Sequence, residues 1–264
     1  MRPNDRKQGG RPGRGQGRGP RRRDEEDASA LRARSLEQWV PKTVIGKKVK
    51  SKEITDISQV IGEKIREPEV IDALLPDLEV DYILIGQAHG KFGGGKRRLV
   101  RQTQKKTAEG NKPNFQALAI VGNKNGYVGF GIGNAKETIP AKEKAVRNAK
   151  MSITQVARGC GSWKCACGEP HSLPFKVDGK CGSVRVSFMP APRGTGLVVE
   201  NEIKKIMKLA GISDLWAKSN GQTRKRLNFV KACMQALNKA STMRLRQEEV
   251  NRVRYGKVSA KAQK

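Results

Sequence analysis

Residues 115–150 read FQALAIVGNKNGYVGFGIGNAKETIPAKEKAVRNAK, and this stretch decides the fold of the chain. Side chains alternate along residues 115–121 and β-forming residues recur over 127–130, so the pattern predicts two strands. Asn125-Gly126 predicts a type I′ turn between them, because both central residues of that turn need a positive φ. A helix follows with Pro140 in its first turn, alanines along one side and cations along another. The stretch therefore predicts an antiparallel hairpin that leads into a basic helix.

Glycines recur at every second position of the second predicted strand, at Gly129, Gly131 and Gly133. They leave one face without side chains, so another backbone can approach closely there. A Gly-x-Gly-x-Gly run between a strand and a helix also occurs in dinucleotide-binding loops. That alternative requires parallel neighbouring strands, whereas a two-residue turn makes them antiparallel. The pattern therefore favours close packing without a nucleotide cofactor.

The charge of the chain indicates a polyanionic partner. The 264 residues contain 54 Lys and Arg against 25 Asp and Glu, which gives a net charge of +29. The longest apolar run, residues 117–121, is far shorter than the roughly 20 residues that span a bilayer, and the basic N-terminus lacks the apolar core of a signal peptide. We therefore expect a cytoplasmic protein that binds nucleic acid and no membrane. Phe, Tyr and Trp make up only 5% of the chain, which favours recognition of folded RNA by shape and phosphates over base stacking.

Cations and glycines cluster in three places that can meet RNA phosphates. Residues 99–107 alternate polar and basic side chains, which predicts a strand with a phosphate-binding face. Lys124 lies at the tip of the first hairpin, and Pro190–Gly196 combines stiff prolines with glycines that expose backbone N–H groups. We also expect the RNA backbone to approach over the glycines of the second strand. The predicted RNA-binding residues are Lys96, Arg97, Arg98, Arg101, Lys105, Lys106, Lys124, Gly129, Gly131, Gly133, Lys136, Arg193, Gly194 and Gly196.

Composition divides the chain into six segments. Residues 1–34 mix cations and glycine with few apolar side chains, so they cannot bury a core. Ile57 and Val60 recur at helical spacing, which predicts a helix over residues 51–64, and a second helix is expected over 68–75. The predicted segments are a disordered Arg/Gly-rich arm (1–34), a helical N-terminal extension (35–78), a first domain (79–157), a Cys-rich linker with the start of a hairpin (158–182), a C-terminal domain (172–242) and a basic tail without structure of its own (243–264).

The second half of the chain predicts another hairpin. Strands are expected at residues 173–177 and 183–189, with a turn at Asp178-Gly179. In the loop that follows, Arg193 supplies a guanidinium that can bind a phosphate through two hydrogen bonds. The later elements predicted are a helix over 201–209 that ends at Gly211, a strand over 212–217 and a final helix capped by Thr223.

Four potential metal ligands, Cys160, Cys165, Cys167 and His171, lie close together in the sequence. This density of thiols and imidazole suggests a structural zinc site, and no other cofactor is indicated or required. The spacing C-x4-C-x-C-x3-H is not a standard zinc knuckle, and Cys181 could replace one of the four. The alternative is a set of reduced cysteines in an irregular loop. A deaminase-type catalytic zinc is disfavoured, because the sequence lacks both H-x-E and P-C-x-x-C.

Two stretches closely resemble the signature regions of the small-subunit ribosomal protein "S five" family. They are VGNKNGYVGFGIGNAK over residues 121–136 and PAPRGTGLV over 190–198. LAGISDLW over 209–216 and NFVKA over 228–232 also fit, so the resemblance covers residues 35–242. The Cys-rich loop resembles the archaeal branch of that family.

The resemblance implies an α+β fold and a structural function. The first domain would be double-stranded-RNA-binding-like, and a two-layer β-α-β domain with left-handed connection would follow it, between flexible basic termini. The resemblance also implies a constituent of the small ribosomal subunit that binds rRNA near the mRNA entrance, along the mRNA path and beside the "S four" protein. Such proteins support subunit assembly and decoding accuracy, and a homo-oligomer is not expected. The functionally sensitive loop of the family falls near residues 101–114.

Two other functions remain open from the sequence. A free double-stranded-RNA-binding protein would share the charge pattern without joining a large particle. An RNA-modifying enzyme would use the Cys-rich loop, but the chain has only two histidines, and no nucleophile has an evident base partner in the sequence. We therefore predict a non-catalytic rRNA-binding protein.

Overall fold

The computed structural model of the chain describes residues 36–87, 97–165, 167–243 and 253–254. The arm predicted over residues 1–34, the RNA-binding candidate Lys96 and most of the predicted tail lie outside the described residues. Residues 1–39 and 40–264 form two separate units, and every element named below belongs to the second. Among the described residues, we find no helix with the length and apolarity needed to cross a membrane.

Two short helices lie within residues 44–74 of the N-terminal extension. Helix α1, Val44–Lys50, follows Thr43, whose Oγ1 accepts a hydrogen bond from Gly46 N at 3.1 Å. Helix α2, Pro68–Leu74, begins at a proline and occupies the segment predicted for it. The rest of the extension is built mainly of turns.

The helix predicted over residues 51–64 is wrong. This segment forms turns and one short 3-10 helix, Ile57–Gln59. Gly62 has a φ of 148°, far from the helical region, so a helix cannot continue through it. Ile57 and Val60 are buried all the same, so their spacing reflects contact with the core from a tight turn.

The first domain is an antiparallel sheet covered by one helix, as the predicted fold class requires. The sheet has the order β1-β3-β4-β5, and β2 pairs with the outer half of β3. Helix α3, Thr138–Met151, packs against β3 and β4. The strands are β1 Glu79–Tyr82, β2 Arg101–Thr107, β3 Gly110–Gly122, β4 Tyr127–Ala135 and β5 Ile153–Gln155.

The turn between β3 and β4 differs from the predicted type I′ turn. The residues with positive φ are Lys124 at 57° and Gly126 at 96°, while Asn125 is not among them. The Asn123 side chain explains the change, because its Oδ1 accepts hydrogen bonds from Asn125 N at 2.9 Å and from Tyr127 N at 3.1 Å. A side chain therefore closes this longer turn.

The glycines of β4 pack against helix α3 and not against RNA. All three of these glycines are buried. A Cβ added to Gly131 would lie 2.2 Å from the backbone N of Ala149 and 2.3 Å from the backbone O of Ala145. Gly129 and Gly133 meet the same helix in the same way. Close backbone approach was predicted correctly, but the approaching backbone belongs to this chain, so RNA cannot reach these positions.

The C-terminal domain is a second sheet with the order β7-β8-β10-β9, covered by helices. Helix α4, Asn201–Ala210, connects β9 to the parallel strand β10, and Gly211 ends it with a φ of 78°. Helix α5, Arg226–Thr242, packs on β7 and β8. The strands are β7 Val177–Cys181, β8 Val184–Pro190, β9 Leu197–Val198 and β10 Leu215–Asn220.

Three local predictions for this domain are wrong. Asp178-Gly179 lies inside β7, and the turn falls after Cys181, where Gly182 has a φ of 62°. Gly179 instead lets α5 approach, since an added Cβ would lie 2.1 Å from the O of Ala232. Thr223 does not cap α5, which begins at Arg226 without a side-chain cap. The strand predicted over residues 212–217 is β10, which begins at Leu215 and ends at Asn220.

A short two-stranded sheet joins the linker to the end of the chain. Strand β6, Arg158–Gly159, pairs with β11, Val253–Arg254, and Val253 is buried. This part of the predicted tail is therefore structured, contrary to the prediction. One continuous apolar core runs from Ile120 in the first sheet through Ile206 in α4 to Leu237 in α5. The two domains thus share their interior.

Candidate nucleic-acid interface and metal cluster

The β2–β3 hairpin extends beyond the rest of the first sheet. Strand β4 pairs with β3 only from Phe115 inward, so residues 110–114 pair with β2 alone. These five residues reach about 17 Å past the sheet at the rise of an extended strand. Their side chains are exposed, as are those of residues 101–106. We call residues 101–116 the outer hairpin.

The register of the outer hairpin places cations opposite one another. Lys105 lies directly across from Lys112, and like charges in such a pair are unfavourable in water. Arg101 shares the face of Lys105, because it is four residues away along the strand, while Lys106 lies on the other face. An arrangement that destabilises the free protein is favoured when a polyanion lies against it. Lys112 was missed from the sequence, since only the register reveals its position.

The other predicted cations do not form one surface. Lys136 is exposed just after β4, and Ala135 pairs with Phe115, so this lysine lies near the base of the outer hairpin. Arg98 is exposed, whereas Arg97 is half-buried and donates from Nη1 to the O of Arg224 at 3.5 Å. Lys124 lies at the other end of β4 from Lys136, about 30 Å away, because nine extended residues separate the two ends. It forms an ion pair with Glu79.

A cleft lies beside Lys124, between the first hairpin and helix α4. Its cavity volume is about 630 Å³, and Lys204 and Lys208 line it with Lys124. Next to it, the buried guanidinium of Arg158 donates from Nη2 to Asn125 Oδ1 at 2.8 Å, and burial lowers the pKa of this arginine. The two lysines on α4 were not identified from the sequence, because their helix contributes them from another domain.

The four predicted metal ligands converge on one point, where the structure could hold a metal ion. We call Cys160, Cys165, Cys167 and His171 the metal cluster, and their ligand atoms all lie within 4.8 Å of one another. Cys165 Sγ is 3.3 Å from Cys167 Sγ and 3.8 Å from His171 Nε2. A tetrahedral zinc site places its ligand atoms about 3.3 to 3.8 Å apart. Cys181 is not in the cluster, so the suggested exchange of ligands is wrong.

The orientation of His171 suits metal binding. Its Nδ1 lies 3.0 Å from Asp214 Oδ2, and both residues are buried. An ionised carboxylate can only accept, so the hydrogen belongs on Nδ1, and Nε2 turns a lone pair toward the thiols. A carboxylate that fixes the histidine in this way is typical of metal sites. Asp214 was not identified from the sequence, because it lies 43 residues from His171.

The Cys165 thiol is prepared for ionisation. Hydrogen bonding from the backbone N–H of Arg193, and then from Cys167, lowers the pKa of the Cys165 thiol to about 6. The thiolate is the form that binds a metal ion, and it predominates at neutral pH when the pKa is this low. The donor set therefore fits a thiophilic metal such as zinc.

The loop with the predicted phosphate ligand lies against the metal cluster. We call residues 192–196 the Arg193 loop. The exposed guanidinium of Arg193 forms an ion pair with Glu169 at 3.0 Å. Gly194 is exposed with a φ of 89°, but Gly196 N already donates to Asp214 Oδ1 at 2.8 Å. The expectation that the N–H of Gly196 faces a phosphate is therefore wrong, because a carboxylate occupies it.

Known proteins share both domains. The description "Ribosomal protein S5, N-terminal domain" matches residues 99–157, and "Ribosomal protein S5, C-terminal domain" matches residues 179–252. A protein named "Small ribosomal subunit protein uS5" from Nanoarchaeum equitans is 50% identical over 213 residues, which cover 80% of this chain and 91% of the relative. The chain belongs to the ribosomal protein S5 family.

Two further members of the family are similar to nearly the same extent. The uS5 protein of Methanocaldococcus jannaschii is 45% identical over 205 residues, 77% of this chain and 88% of the relative. That of Methanococcus maripaludis (strain S2 / LL) is 44% identical over 221 residues, 83% of this chain and 92% of the relative. The resemblance expected from the sequence is confirmed. The metal cluster lies between the two regions that the family descriptions match, and the Arg193 loop lies inside the second.

Proposed function

We propose that this chain is a non-enzymatic, structural constituent of the small ribosomal subunit and binds its rRNA in the cytoplasm. Membership of the family and the net charge of +29 support this function. The observation that carries it is the outer hairpin, where Lys105 and Lys112 are paired directly across the two strands. Phosphates of folded rRNA would compensate this repulsion.

The proposal extends to the position of the chain in the subunit. Following the family resemblance, the outer hairpin would lie near the mRNA entrance beside the "S four" protein, and changes in it would alter assembly and decoding accuracy. A hairpin that projects about 17 Å from a rigid sheet can reach such a path. Hydroxyl-radical cleavage of rRNA from a probe attached to the new thiol of a Lys105→Cys variant tests this location in reconstituted subunits. Cleavage confined to rRNA remote from the mRNA path would contradict it.

The experiment for rRNA binding compares salt dependence among variants. An archaeal small-subunit rRNA transcript is titrated with the wild-type chain and with a Lys105→Ala, Lys112→Ala double variant. Log K falls as log salt concentration rises, and each lost phosphate contact should make this fall shallower by about one unit of slope. The double variant should therefore show a slope that is shallower by about two units. Gln102→Ala, an uncharged and exposed position of β2, is the control and should leave the slope unchanged. An unchanged slope in the double variant would refute the contact.

Sedimentation separates the proposed function from its alternatives. A ribosomal constituent migrates with small subunits in a gradient, whereas a free double-stranded-RNA-binding protein stays near the top. An RNA-modifying enzyme would turn over an RNA substrate as a pure protein and lose that activity in a Cys165→Ala variant. Migration near the top of the gradient, or turnover of RNA that is lost in Cys165→Ala, would replace the proposed function.

We also propose that the metal cluster binds one structural zinc ion. Three thiols and one imidazole nitrogen supply four soft or borderline ligands, which zinc prefers in tetrahedral sites. With four protein ligands no position remains for water or substrate, which agrees with a structural role and not a catalytic one. The zinc would tie together residues 160–171, a segment whose described part contains little regular structure.

Metal analysis tests this assignment. Protein prepared without added zinc should contain about one zinc per chain by mass spectrometry of the elements. Cys167→Ser should reduce that ratio strongly, and Cys181→Ser, which lies outside the cluster, should not. A ratio near zero in the wild-type chain would remove zinc from the proposal.

A further inference from the structure

Two contacts attach the Arg193 loop to the metal cluster and its neighbour Asp214. The Arg193 guanidinium pairs with Glu169 at 3.0 Å, between two ligands of the cluster in the sequence. Gly196 N donates to Asp214 Oδ1 at 2.8 Å. The phosphate-binding candidate is therefore supported from the side of the metal cluster.

Asp214 is the link between a metal ligand and the loop. One of its carboxylate oxygens accepts from His171 Nδ1 and the other from Gly196 N. The backbone N–H groups of Ser213 and Asp214 both donate to the O of His171, at 2.9 and 3.1 Å. Only 4% of Asp214 is exposed, so water cannot readily replace these partners. A displacement of His171 must therefore move Asp214 and release the Gly196 amide.

Two glycines give the Arg193 loop conformational freedom, although Thr195 bonds within it and the O of Gly196 accepts from Leu215 N at 3.1 Å. Gly194 and Gly196 have φ values of 89° and 72°, which glycine reaches easily but also leaves easily. Within the loop, Thr195 bonds to the O of Pro192 through both its N–H and its hydroxyl group. A loop that is not held before binding must be ordered by the RNA, and this lowers affinity.

We propose that metal binding at the cluster holds the Arg193 loop, through Asp214, in the conformation that binds an RNA phosphate, so that this contact depends on the metal. The inference rests on the proposed function, because it assumes zinc in the cluster and phosphate at Arg193. Asp214 acts as a positioning residue: it touches neither the RNA nor the metal. The expected consequence is that removing the metal and removing the Arg193 side chain have the same effect on RNA binding.

Hydrogen exchange tests the link without RNA. The Gly196 amide of the zinc-loaded chain should be protected, and Asp214→Asn at saturating zinc should lower that protection about tenfold. In the asparagine, an NH2 group that can only donate replaces one of the two carboxylate oxygens, so the side chain loses one of its hydrogen bonds from His171 and Gly196. Asp178→Asn is the matched control, since this exposed carboxylate on β7 undergoes the same change. Equal protection of Gly196 in the two variants would overturn the link.

Salt slopes with an archaeal small-subunit rRNA transcript test the consequence. Arg193→Ala should lower the slope by about one unit in the zinc-loaded chain and leave it unchanged in the chelator-treated chain. Asp214→Asn with saturating zinc should change the slope as Arg193→Ala does. This variant keeps the metal, so it tests the link even if the chelator-treated chain unfolds. An equal loss in both metal states would overturn the coupling and keep the phosphate contact. No loss in the zinc-loaded chain would instead overturn the proposed phosphate contact at Arg193, while hydrogen exchange still decides the link.

Discussion

Replacing Gly131 with alanine should destabilise the first domain more than its size suggests. Gly131 has no positive φ, so alanine can adopt its backbone conformation without strain. The added Cβ would lie 2.2 Å from the N of Ala149 and 2.3 Å from the O of Ala145. An ordinary contact needs about 3.5 Å. Both neighbours are backbone atoms of α3, so no side chain can rotate away.

The magnitude follows from the movement that the clash requires. Helix α3 must shift by about 1 Å from β4, which loosens contacts along the whole helix. Overpacking of a rigid core costs about 1 to 3 kcal/mol, and a contact with backbone on both sides belongs at the upper end. The lower entropy of the unfolded chain with alanine offsets less than about 1 kcal/mol. We expect the free energy of unfolding to fall by about 2 to 3 kcal/mol.

Urea unfolding followed by circular dichroism measures this change. With a slope of about 2 kcal/mol per molar urea, the midpoint should fall by about 1 to 1.5 M without a change of slope. Asn134→Ala, an exposed position of the same strand, is the control and should shift the midpoint little. A second substitution, Ala145→Gly, should not restore stability, because the clash involves the backbone of α3. A midpoint for Gly131→Ala equal to that of Asn134→Ala would refute the reasoning.

Three further outcomes are expected. Gly211→Ala combines a φ of 78° with a Cβ placed 2.0 Å from the O of Lys124, so it should lower the thermal midpoint more than Gly110→Ala, where φ is 118° and the space is open; equal midpoints would contradict this. Glu202→Ala removes a buried carboxylate that lies 3.3 Å from Arg226 Nη1 and 3.5 Å from Lys205 Nζ. The free energy of unfolding, measured with a chemical denaturant, should fall by about 3 kcal/mol, whereas a fall below about 1 kcal/mol would show that these ion pairs are unimportant. Burial raises the pKa of the Cys233 thiol, so at pH 8 its thiolate is scarcer than that of an ordinary cysteine. Iodoacetamide should therefore modify Cys233 slowly in the native chain and rapidly after denaturation, as mapped by mass spectrometry. Rapid modification of the native chain would contradict the burial of Cys233.

The sequence predicted elements well where their causes are local. The first hairpin, the basic helix after it and the C-terminal stop at Gly211 all follow from neighbouring residues. Errors arose where a single residue overrode the local pattern. Asn123 closes a turn that Asn125-Gly126 was expected to form, and Gly62 breaks the helical pattern over residues 51–64. Neither the side-chain contact of Asn123 nor the backbone conformation of Gly62 is visible in the spacing of apolar residues.

By itself the sequence determined that this chain is basic, that it has an antiparallel hairpin with a face of glycines and that four metal ligands lie close together along the chain. Only the tertiary structure decided that the backbone over those glycines is helix α3, that Lys112 faces Lys105 and that Asp214 joins His171 to the Arg193 loop. The physical reason is common to all three. Each depends on strand register or packing between segments distant in sequence, and these are set by the lowest free energy of the whole chain and not by local propensity.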